Sequence, residues 1–396
     1  MNKRKAIKYS KDFIIADGHI DLPYRLYKEG LIFKKNINLN NETSGNFDIP
    51  KAKRGGLNCP FMAIYIPSEK LEDEAYSFAN SLIDLVKNII KYNDQFAPAL
   101  NPTQVIENLN NDKISLPMGI ENGSAIGNNL KNLNYFFNRG IRYITLTHAK
   151  NNQICDSSYD TNKKWNGLSD FGKLLINEMN NIGMMIDVSH VSDKTFYDIL
   201  EITNKPLIAS HSSPRNFTPG FERNMSDNMI KSLAKNNGII MINFGSSFIN
   251  KKSNILYAEI QESVESWRLN KGYEINDIEV AKKREELIKN KNPFADLEDV
   301  LIAIDHVKNL VGDDFIGFGS DFDGLGDSLP NNLKNVSYYP MILEGLLNRG
   351  YSKESIEKIC YKNLFRVWDT NLQNHQTLYF HQELPYHLAF LELPDS

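Results

Sequence analysis

The sequence predicts an α/β protein, a (β/α)₈ TIM barrel, with residues 1–396 forming a single domain. Eight short apolar runs alternate with helix-like stretches, which is typical of a parallel sheet with right-handed crossovers that closes on itself. Six of these runs end on a side chain that can hold a metal ion or move a proton. Because the carboxyl ends of barrel strands meet at one face, these endings predict a single polar site there.

The eight predicted strands take up the chain in order, and each is only a few residues long. They are Phe13–Ile20, Cys59–Ile66, Leu116–Glu121, Ile141–His148, Met184–His190, Pro206–His211, Gly238–Phe244 and Phe315–Asp321. The polar endings are His19 with Asp21, Glu121, His148, His190, His211 and Asp321. The second and seventh runs have no ending of this kind.

Helices are predicted between the strands, and three of them begin with the pair Ser-Asp, a common helix start. The predicted helices include Asp73–Tyr92, Ser169–Asn181, Ser192–Thr203 and Ser226–Asn236. Between the seventh and eighth strands the charged segment Asn250–Asp296 predicts a helical excursion, with helices over Ile255–Leu269 and Ile278–Lys289. This excursion is interpreted as a solvated insertion, with a lid or a subunit contact as the alternative. A last helix is predicted to end near Trp368, followed by a tail over Thr370–Ser396.

Composition excludes several classes of protein. The formal charge of −4, with Lys and Arg spread along the chain, argues against a nucleic-acid partner. Three cysteines without paired spacing favour a reducing compartment. The basic start has no apolar segment behind it, and no run of about 18 apolar residues predicts a membrane span. His387–Pro394 is too short for a lipid-anchor signal, so we expect a cytoplasmic protein.

His19 and Asp21 are two residues apart, which on a strand places both side chains on one face, about 7 Å apart along the chain. Both can therefore reach one ion. Asp17 lies one layer deeper with the same parity and is predicted to orient His19. Glu121 leaves a buried strand into a loop containing Gly123, where its two oxygens could bridge two metals.

His190 and His211 end two neighbouring strands, both with the pair Ser-His. Neighbouring strands lie about 5 Å apart, so the two imidazoles can converge on one ion. Imidazoles and carboxylates without cysteine suit zinc or a similar divalent cation. Asp187 has the opposite parity to His190 and is predicted to face the helix layer.

Four further side chains have predicted roles around the metal ligands. His148 can donate to a substrate oxygen or bind metal, and both options stay open. Asp321 is a natural proton acceptor beside an activated water, with Asp323 as its rival. Arg223, just before a helix, can clamp a carboxylate through two parallel hydrogen bonds, although a surface position would also fit the sequence.

Together these residues resemble the membrane (renal) dipeptidase family, peptidase family M19, among the amidohydrolase-like metal barrels. The resemblance runs from about Ile14 to Trp368. It rests on the motifs ADGHIDLP, FDIPKAKRGG, MGIENG, RYITLTH, GLSDFGKLLINEMNNIGMMIDVSH, ASHSSPR, RNMSD, GFGSDFDG, VSYYPMILEGLLNRG and NLFRVW. It implies a zinc-dependent dipeptidase that hydrolyses the peptide bond by attack of a hydroxide bridging two Zn²⁺ ions, and it suggests a homodimer.

The resemblance also implies a role for each site residue. His19, Asp21 and Glu121 would hold one zinc, and Glu121, His190 and His211 the other, so that Glu121 bridges the pair. His148 would stabilise the oxyanion, Arg223 would bind the substrate's terminal carboxylate, and Asp321 would shuttle the proton.

One departure from the family pattern concerns substrate recognition. Family members often carry a tyrosine after INF that helps to hold the substrate carboxylate, and this chain has Gly245. An amidohydrolase acting on another small amide, lactam or ester is therefore the alternative function. A metal-stabilised binding protein without turnover is a weaker alternative, because Asp321 and His148 are both present.

Overall fold

The computed structural model describes residues 1–34, 37–275 and 277–379. The strands are β1 Ile15–Ile20, β2 Leu57–Tyr65, β3 Phe96–Ala97, β4 Ile114–Ser115, β5 Met118–Glu121, β6 Ile141–Thr145, β7 Met185–Asp187, β8 Ile208–Ser212, β9 Ile239–Ile242 and β10 Ile316–Phe318. Eight of them are parallel and close into a barrel in the order β1-β10-β9-β8-β7-β6-β5-β2, and β3 pairs with β4 in a separate two-stranded sheet. Each barrel strand overlaps one of the eight predicted runs, although β2 begins two residues before its run and β8 ends one residue after its run, and the predicted fold class is confirmed.

Helices surround the barrel and connect successive strands. They are α1 Asn2–Asp12, α2 Leu22–Lys28, α3 Ile49–Gly55, α4 Glu72–Lys91, α5 Pro102–Asn110, α6 Leu130–Asn138, α7 Asp170–Ile182, α8 Asp193–Ile202, α9 Asp227–Lys235, α10 Ser246–Ile249, α11 Lys251–Lys271, α12 Ile278–Lys291, α13 Leu297–Val311, α14 Tyr339–Asn348, α15 Lys353–Glu357 and α16 Asn363–Tyr379. The Ser-Asp starts are explained by capping: the hydroxyls of Ser169, Ser192 and Ser226 each accept a backbone N–H from the first turn of α7, α8 and α9.

Three aromatic side chains pack together within the buried cluster that includes residues of the barrel strands. Tyr143 of β6 lies against Phe61 of β2, with ring centroids 5.4 Å apart, and Phe61 lies against Trp368 of α16 at 5.0 Å. All three side chains are buried. A packed column of this kind makes the barrel a core rather than a pore, and it leaves the carboxyl ends of the strands as the place for polar groups.

The excursion predicted between the seventh and eighth barrel strands is present as α11 and α12. These two helices enclose a small apolar cluster of their own, which includes Ile260, Val264, Val280 and Ile288. The hydroxyl of Tyr257 on α11 donates to the carbonyl of Asp327 at 3.0 Å, which ties the excursion to the loop after β10.

The predicted helix end near Trp368 is wrong, because α16 continues to Tyr379. The helix continues because its next turn is buried against the barrel: the Asn371 amide donates to the Pro206 carbonyl at 3.0 Å, and Lys205 donates to the Thr370 carbonyl at 2.8 Å. The rest of the predicted tail, residues 380–396, lies outside the described residues. In the part of the chain that is described, no helix is long and apolar enough to cross a membrane.

Candidate metal centre

The structure brings the predicted metal ligands together at the carboxyl ends of the barrel strands. Three groups of side chains have ligand atoms within 4.8 Å of one another: His19, Glu121 and His211; Glu121, His148 and His190; and His19, Asp21 and Asp321. These residues come from β1, β5, β8 and from the segments that follow β1, β6, β7 and β10. Five of these side chains are buried, namely His19, Asp21, Glu121, His190 and His211, whereas His148 is partly exposed.

Glu121 lies at the centre, with its two carboxylate oxygens facing different partners. Oε2 is 3.4 Å from His19 Nε2, which is in turn 3.5 Å from Asp21 Oδ2. Oε1 is 3.1 Å from His190 Nε2 and 3.3 Å from His211 Nε2. Burial alone would raise the pKa of Glu121, but His19 and His148 hold it well below its usual range. The carboxylate is therefore ionised and can serve both sides.

The ring of His19 is oriented by Tyr143, not by Asp17. The Tyr143 hydroxyl lies 2.9 Å from His19 Nδ1 and donates its single proton to the Gly18 carbonyl at 3.0 Å. Tyr143 must therefore accept from His19 Nδ1–H, which leaves the lone pair on Nε2.

The predicted role of Asp17 toward the His19 ring is wrong. The Asp17 carboxylate accepts the backbone N–H groups of His19 and Ser320, both at 3.0 Å, and the hydroxyl of Tyr339. These donors come from β1, from the segment after β10 and from α14, so they turn the carboxylate away from the His19 ring.

His211 is held in the same tautomer by a different route. Its Nδ1 lies 2.8 Å from Ser210 Oγ, which donates to Asp187 Oδ2 at 2.6 Å. Ser210 therefore accepts from His211 Nδ1–H, and the lone pair of Nε2 is left for a ligand. Asp187, which was predicted to face the helix layer, is instead one hydroxyl away from the site.

The donor set fits divalent cations. His19 Nε2 is buried without a hydrogen-bond partner among the described residues, and the Nε2 atoms of His190 and His211 lie 2.9 Å apart. Burial lowers the pKa of His190 and His211 well below the usual value, which keeps both rings neutral. Imidazoles and carboxylates in this arrangement are the ligand types that zinc prefers.

Asp321 faces this group, and its rival Asp323 does not. Burial, and then the charge of Asp21, raise the pKa of Asp321 well above its usual value, and the Asn243 amide donates to its Oδ2 at 2.8 Å. Asp323 accepts the Asn46 backbone N–H at 2.6 Å and lies 3.2 Å from Arg25 Nε. The backbone of His190, Asp321 and Asp323 is left-handed, with φ of 70°, 62° and 66°.

Sequence reasoning missed Asn243, Tyr143 and Ser210. Asn243 lies directly before Phe244, the last residue of the seventh apolar run, and its amide is neither a zinc-ligand type nor a proton carrier, so the pattern of strand endings does not mark it. It is fully buried, and its side-chain oxygen accepts the Gly245 N–H at 2.7 Å. Its polarity at the carboxyl end of a barrel strand was the available signal.

Arg223 lies beside the histidines rather than on the surface. Its Nη2 donates to the His211 carbonyl at 2.8 Å and lies 3.1 Å from His190 Nε2, while Nη1 donates to Ser212 Oγ at 2.9 Å. Its Nε is buried with no partner in the described part of the chain. The guanidinium is thus fixed next to the ligand group and has a donor to spare.

The space beside Gly245 is filled by Phe248. A Cβ at Gly245 would lie 2.8 Å from the Phe248 ring, and the same ring lies 5.4 Å from the Arg223 guanidinium. A tyrosine at residue 245 would therefore displace Phe248. In this chain the side chain beside Arg223 is Phe248 instead of a tyrosine from position 245.

His148 is the most accessible of the four histidines. Its ring packs 4.2 Å from His190 and 4.8 Å from Tyr65, and its Nε2 lies 3.7 Å from Glu121 Oε1. Burial of most of the ring lowers the pKa of His148. Its place beside Glu121 and His190 is compatible with both predicted roles, contact with a substrate oxygen or metal binding.

Comparison with known proteins decides the family. The model of the membrane dipeptidase family (peptidase family M19) matches residues 3–379. The chain belongs to the M19 membrane dipeptidase family.

Its M19 relatives cover most of this chain. The chain is 28% identical over 371 residues to "Dipeptidase 3" of Mus musculus, and the match covers 92% of this chain and 66% of the relative. The chain therefore spans slightly less than two thirds of that protein. It is 32% identical over 336 residues to "Dipeptidase tcpJ" of Claviceps purpurea (strain 20.1), covering 82% of this chain and 69% of the relative.

Solved structures share the M19 fold. The probable dipeptidase PvdM from Pseudomonas aeruginosa has a TM-score of 0.81 at 23% identity and covers 94% of this chain and 99% of its own. A metallo peptidase from Rhodobacter sphaeroides, liganded with a phosphinate mimic of the dipeptide L-Ala-D-Ala, has a TM-score of 0.74 at 22% identity and covers 91% and 99%.

We predict that Gly324→Ala lowers metal affinity without unfolding this M19 protein. A Cβ at Gly324 would lie 2.5 Å from Asp321 Oδ1 and closer still to Asp21 Oδ2, so both carboxylates must move. Gly326→Ala is the matched control, since its Cβ meets nothing within 4 Å and its left-handed φ of 54° carries only the backbone strain. Metal titration with thermal melting checks this, and equal metal affinity in the two variants would contradict it.

Proposed function

We propose that the protein is a zinc-dependent dipeptidase that holds two ions per chain, bridged by Glu121. The observation that carries this proposal is the division of the Glu121 oxygens, with Oε2 toward His19 and Asp21 and Oε1 toward His190 and His211. The dipeptidase names of the M19 relatives, and the dipeptide mimic bound by the Rhodobacter sphaeroides protein, support dipeptides as the substrate class.

Two groups of residues would hold the ions: His19, Asp21 and Glu121 on one side, and Glu121, His190 and His211 on the other. When bound, a pair of divalent ions supplies Lewis-acid activation of the attacking water and of the peptide carbonyl. The hydrogen bonds of Tyr143 and Ser210 present the Nε2 lone pairs of His19 and His211 to those ions.

Asp321 is the proposed proton carrier. Its Oδ2 is occupied by the Asn243 amide, which leaves Oδ1 to accept the proton of the attacking water and to return it to the leaving amine. His148 is the proposed donor to the carbonyl oxygen, because it borders the ligand group and is the histidine most open to a ligand.

Arg223 is the proposed clamp for the substrate's terminal carboxylate. A fixed guanidinium beside the metal ligands sets the distance from that carboxylate to the bond that is cut. A tripeptide places its carboxylate about 3.5 Å further along the chain, beyond this reach. The site should therefore select dipeptides by length.

We predict that Arg223→Ala lowers kcat/KM for dipeptides strongly and has little effect on a dipeptide amide. The loss follows from removal of the charged partner of the carboxylate. Arg223→Lys is the matched variant, since it keeps the charge and loses the planar fork, and it should recover only part of the activity. The measurement is a kinetic comparison of dipeptide, dipeptide amide and tripeptide in a metal-defined buffer.

One kinetic result would contradict the proposed selection of dipeptides by length. Comparable cleavage of the dipeptide, its amide and the tripeptide by the wild-type enzyme would reject the dipeptidase assignment. It would favour the second candidate, an M19 enzyme acting on another small amide, lactam or ester. Gly245 and the Phe248 ring beside Arg223 are the observations in favour of that candidate. The homodimer and the cytoplasmic location stay predictions.

A further inference from the structure

We propose that the two sides of the metal centre are tuned separately by two different hydrogen-bond relays, and that Ser210 and Asp187 are positioning residues for the His190 and His211 side alone. The proposal rests on the proposed two-metal site and names the buried groups that set the metal affinity of each of its two sides.

The first relay ends on a carboxylate. Asp187 is fully buried and accepts four hydrogen bonds: from the backbone N–H of Ser189 at 3.0 Å and of Ser210 at 2.8 Å, and from the hydroxyls of Thr145 at 2.5 Å and Ser210 at 2.6 Å. All four partners donate, so both Asp187 oxygens act as acceptors. The Ser210 proton is thereby committed to Asp187, and Ser210 can only accept from His211.

The second relay ends on a neutral group. Tyr143 accepts from His19 Nδ1–H and donates to the Gly18 carbonyl, and its hydroxyl makes no hydrogen bond to a carboxylate in the described part of the chain. His190 has no relay, since its Nδ1 lacks a hydrogen-bond partner among the described side chains and backbone groups. Among the described residues, only His211 of the three ring ligands therefore reaches a buried carboxylate through its Nδ1.

This difference has a chemical consequence. An imidazole whose N–H donates toward a carboxylate is a stronger base at its other nitrogen, and it is fixed in one tautomer and one ring orientation. Ser210 and Asp187 should thus strengthen ligation by His211, whereas Tyr143 mainly orients His19. Loss of such a partner typically costs about 10–100-fold in metal affinity.

Three single substitutions test the assignment. Ser210→Ala removes the hydroxyl and keeps the backbone N–H that binds Asp187. Tyr143→Phe removes the other relay. Thr145→Val is the matched control, because it deletes a hydrogen bond to the same Asp187 oxygen without touching a histidine.

The readout is metal binding by the full-length protein rather than activity. Competition with a chelator resolves two Zn²⁺ dissociation steps, and ¹¹³Cd NMR of the cadmium-loaded protein gives one resonance per site. We expect Ser210→Ala to weaken one step by about 10–100-fold and to shift one resonance. Tyr143→Phe should affect the other step and resonance, the double variant should affect both, and Thr145→Val should change either step by less than about threefold.

Several results would overturn the proposal: equal losses in Ser210→Ala and Thr145→Val, an effect of both relay variants on the same resonance, or a wild-type protein that binds one ion. If Ser210→Ala melts early, Ser210→Thr is measured beside it. Because Ser210→Thr keeps a hydroxyl, it should have the metal affinity of the wild-type protein, and a weakened affinity would count against the relay. A wild-type protein that binds two ions and cleaves no dipeptide would reject the proposed function, while the affinities of the variants would still decide the relays.

Discussion

Asp321→Asn is expected to retain both metal ions and to lose about 10²–10⁴-fold in kcat, the usual contribution of a general acid–base group. The side-chain shape is unchanged, so the ligands His19 and Asp21 stay in place. Because the Asn243 amide donates to Oδ2, the new amide must turn its oxygen toward Asn243 and its NH₂ toward the ligand group. That NH₂ cannot accept a proton.

The experiment pairs metal analysis with steady-state kinetics. Asp323→Asn is the control in the same turn, because Asp323 accepts the Asn46 backbone N–H and is ion-paired with Arg25 away from the ligand group, so its replacement should spare most of the turnover. If Asp321→Asn instead loses an ion, Asp321 is a metal ligand and its assignment as proton carrier is wrong.

Glu121→Gln is expected to lose at least one of the two ions and to reduce dipeptide turnover to the background rate. A glutamine has one acceptor oxygen, so it can serve His19 and Asp21 or His190 and His211 but not both. Its NH₂ would place a hydrogen-bond donor toward the other pair of ligands, at the position that a cation would occupy in the proposed site. Metal content measured at decreasing free Zn²⁺ gives the stoichiometry directly.

The matched control for the charge change is Glu222→Gln. Glu222 lies outside the ligand group, with its carboxylate bonded to the Asp193 backbone N–H at 2.9 Å and paired with Lys163 at 3.4 Å. It should keep two ions and full activity. A Glu121→Gln protein with two ions and near-normal turnover would exclude the bridged centre.

The strands and the convergence of the ligands could be predicted because they depend on local pattern. A short apolar run that ends on a histidine or a carboxylate predicts both a strand and its polar end, and the parallel topology then places six such ends together. The separation of two neighbouring Ser-His endings is fixed by strand spacing alone, so His190 and His211 needed no further information.

The partners of those ligands could not be predicted, because they come from distant parts of the chain. Tyr143 is 124 residues from His19, and parity suggested the nearer Asp17 instead. Two of the donors to the Asp17 carboxylate, Ser320 and Tyr339, lie more than 300 residues from it in the sequence. The same reason explains α16: its extension past Trp368 depends on Pro206 and Lys205, which the local sequence around the helix end does not contain.

The left-handed backbone at His190, Asp321 and Asp323 limits how this protein could be made more heat-stable. Each non-glycine residue in that conformation costs on the order of 1 kcal/mol, and glycine would remove the cost. At His190 and Asp321 glycine would also remove the proposed metal ligand and the proposed proton carrier. A screen for thermal stability alone would therefore favour glycine at these two positions and select inactive protein, so such a screen needs an activity filter.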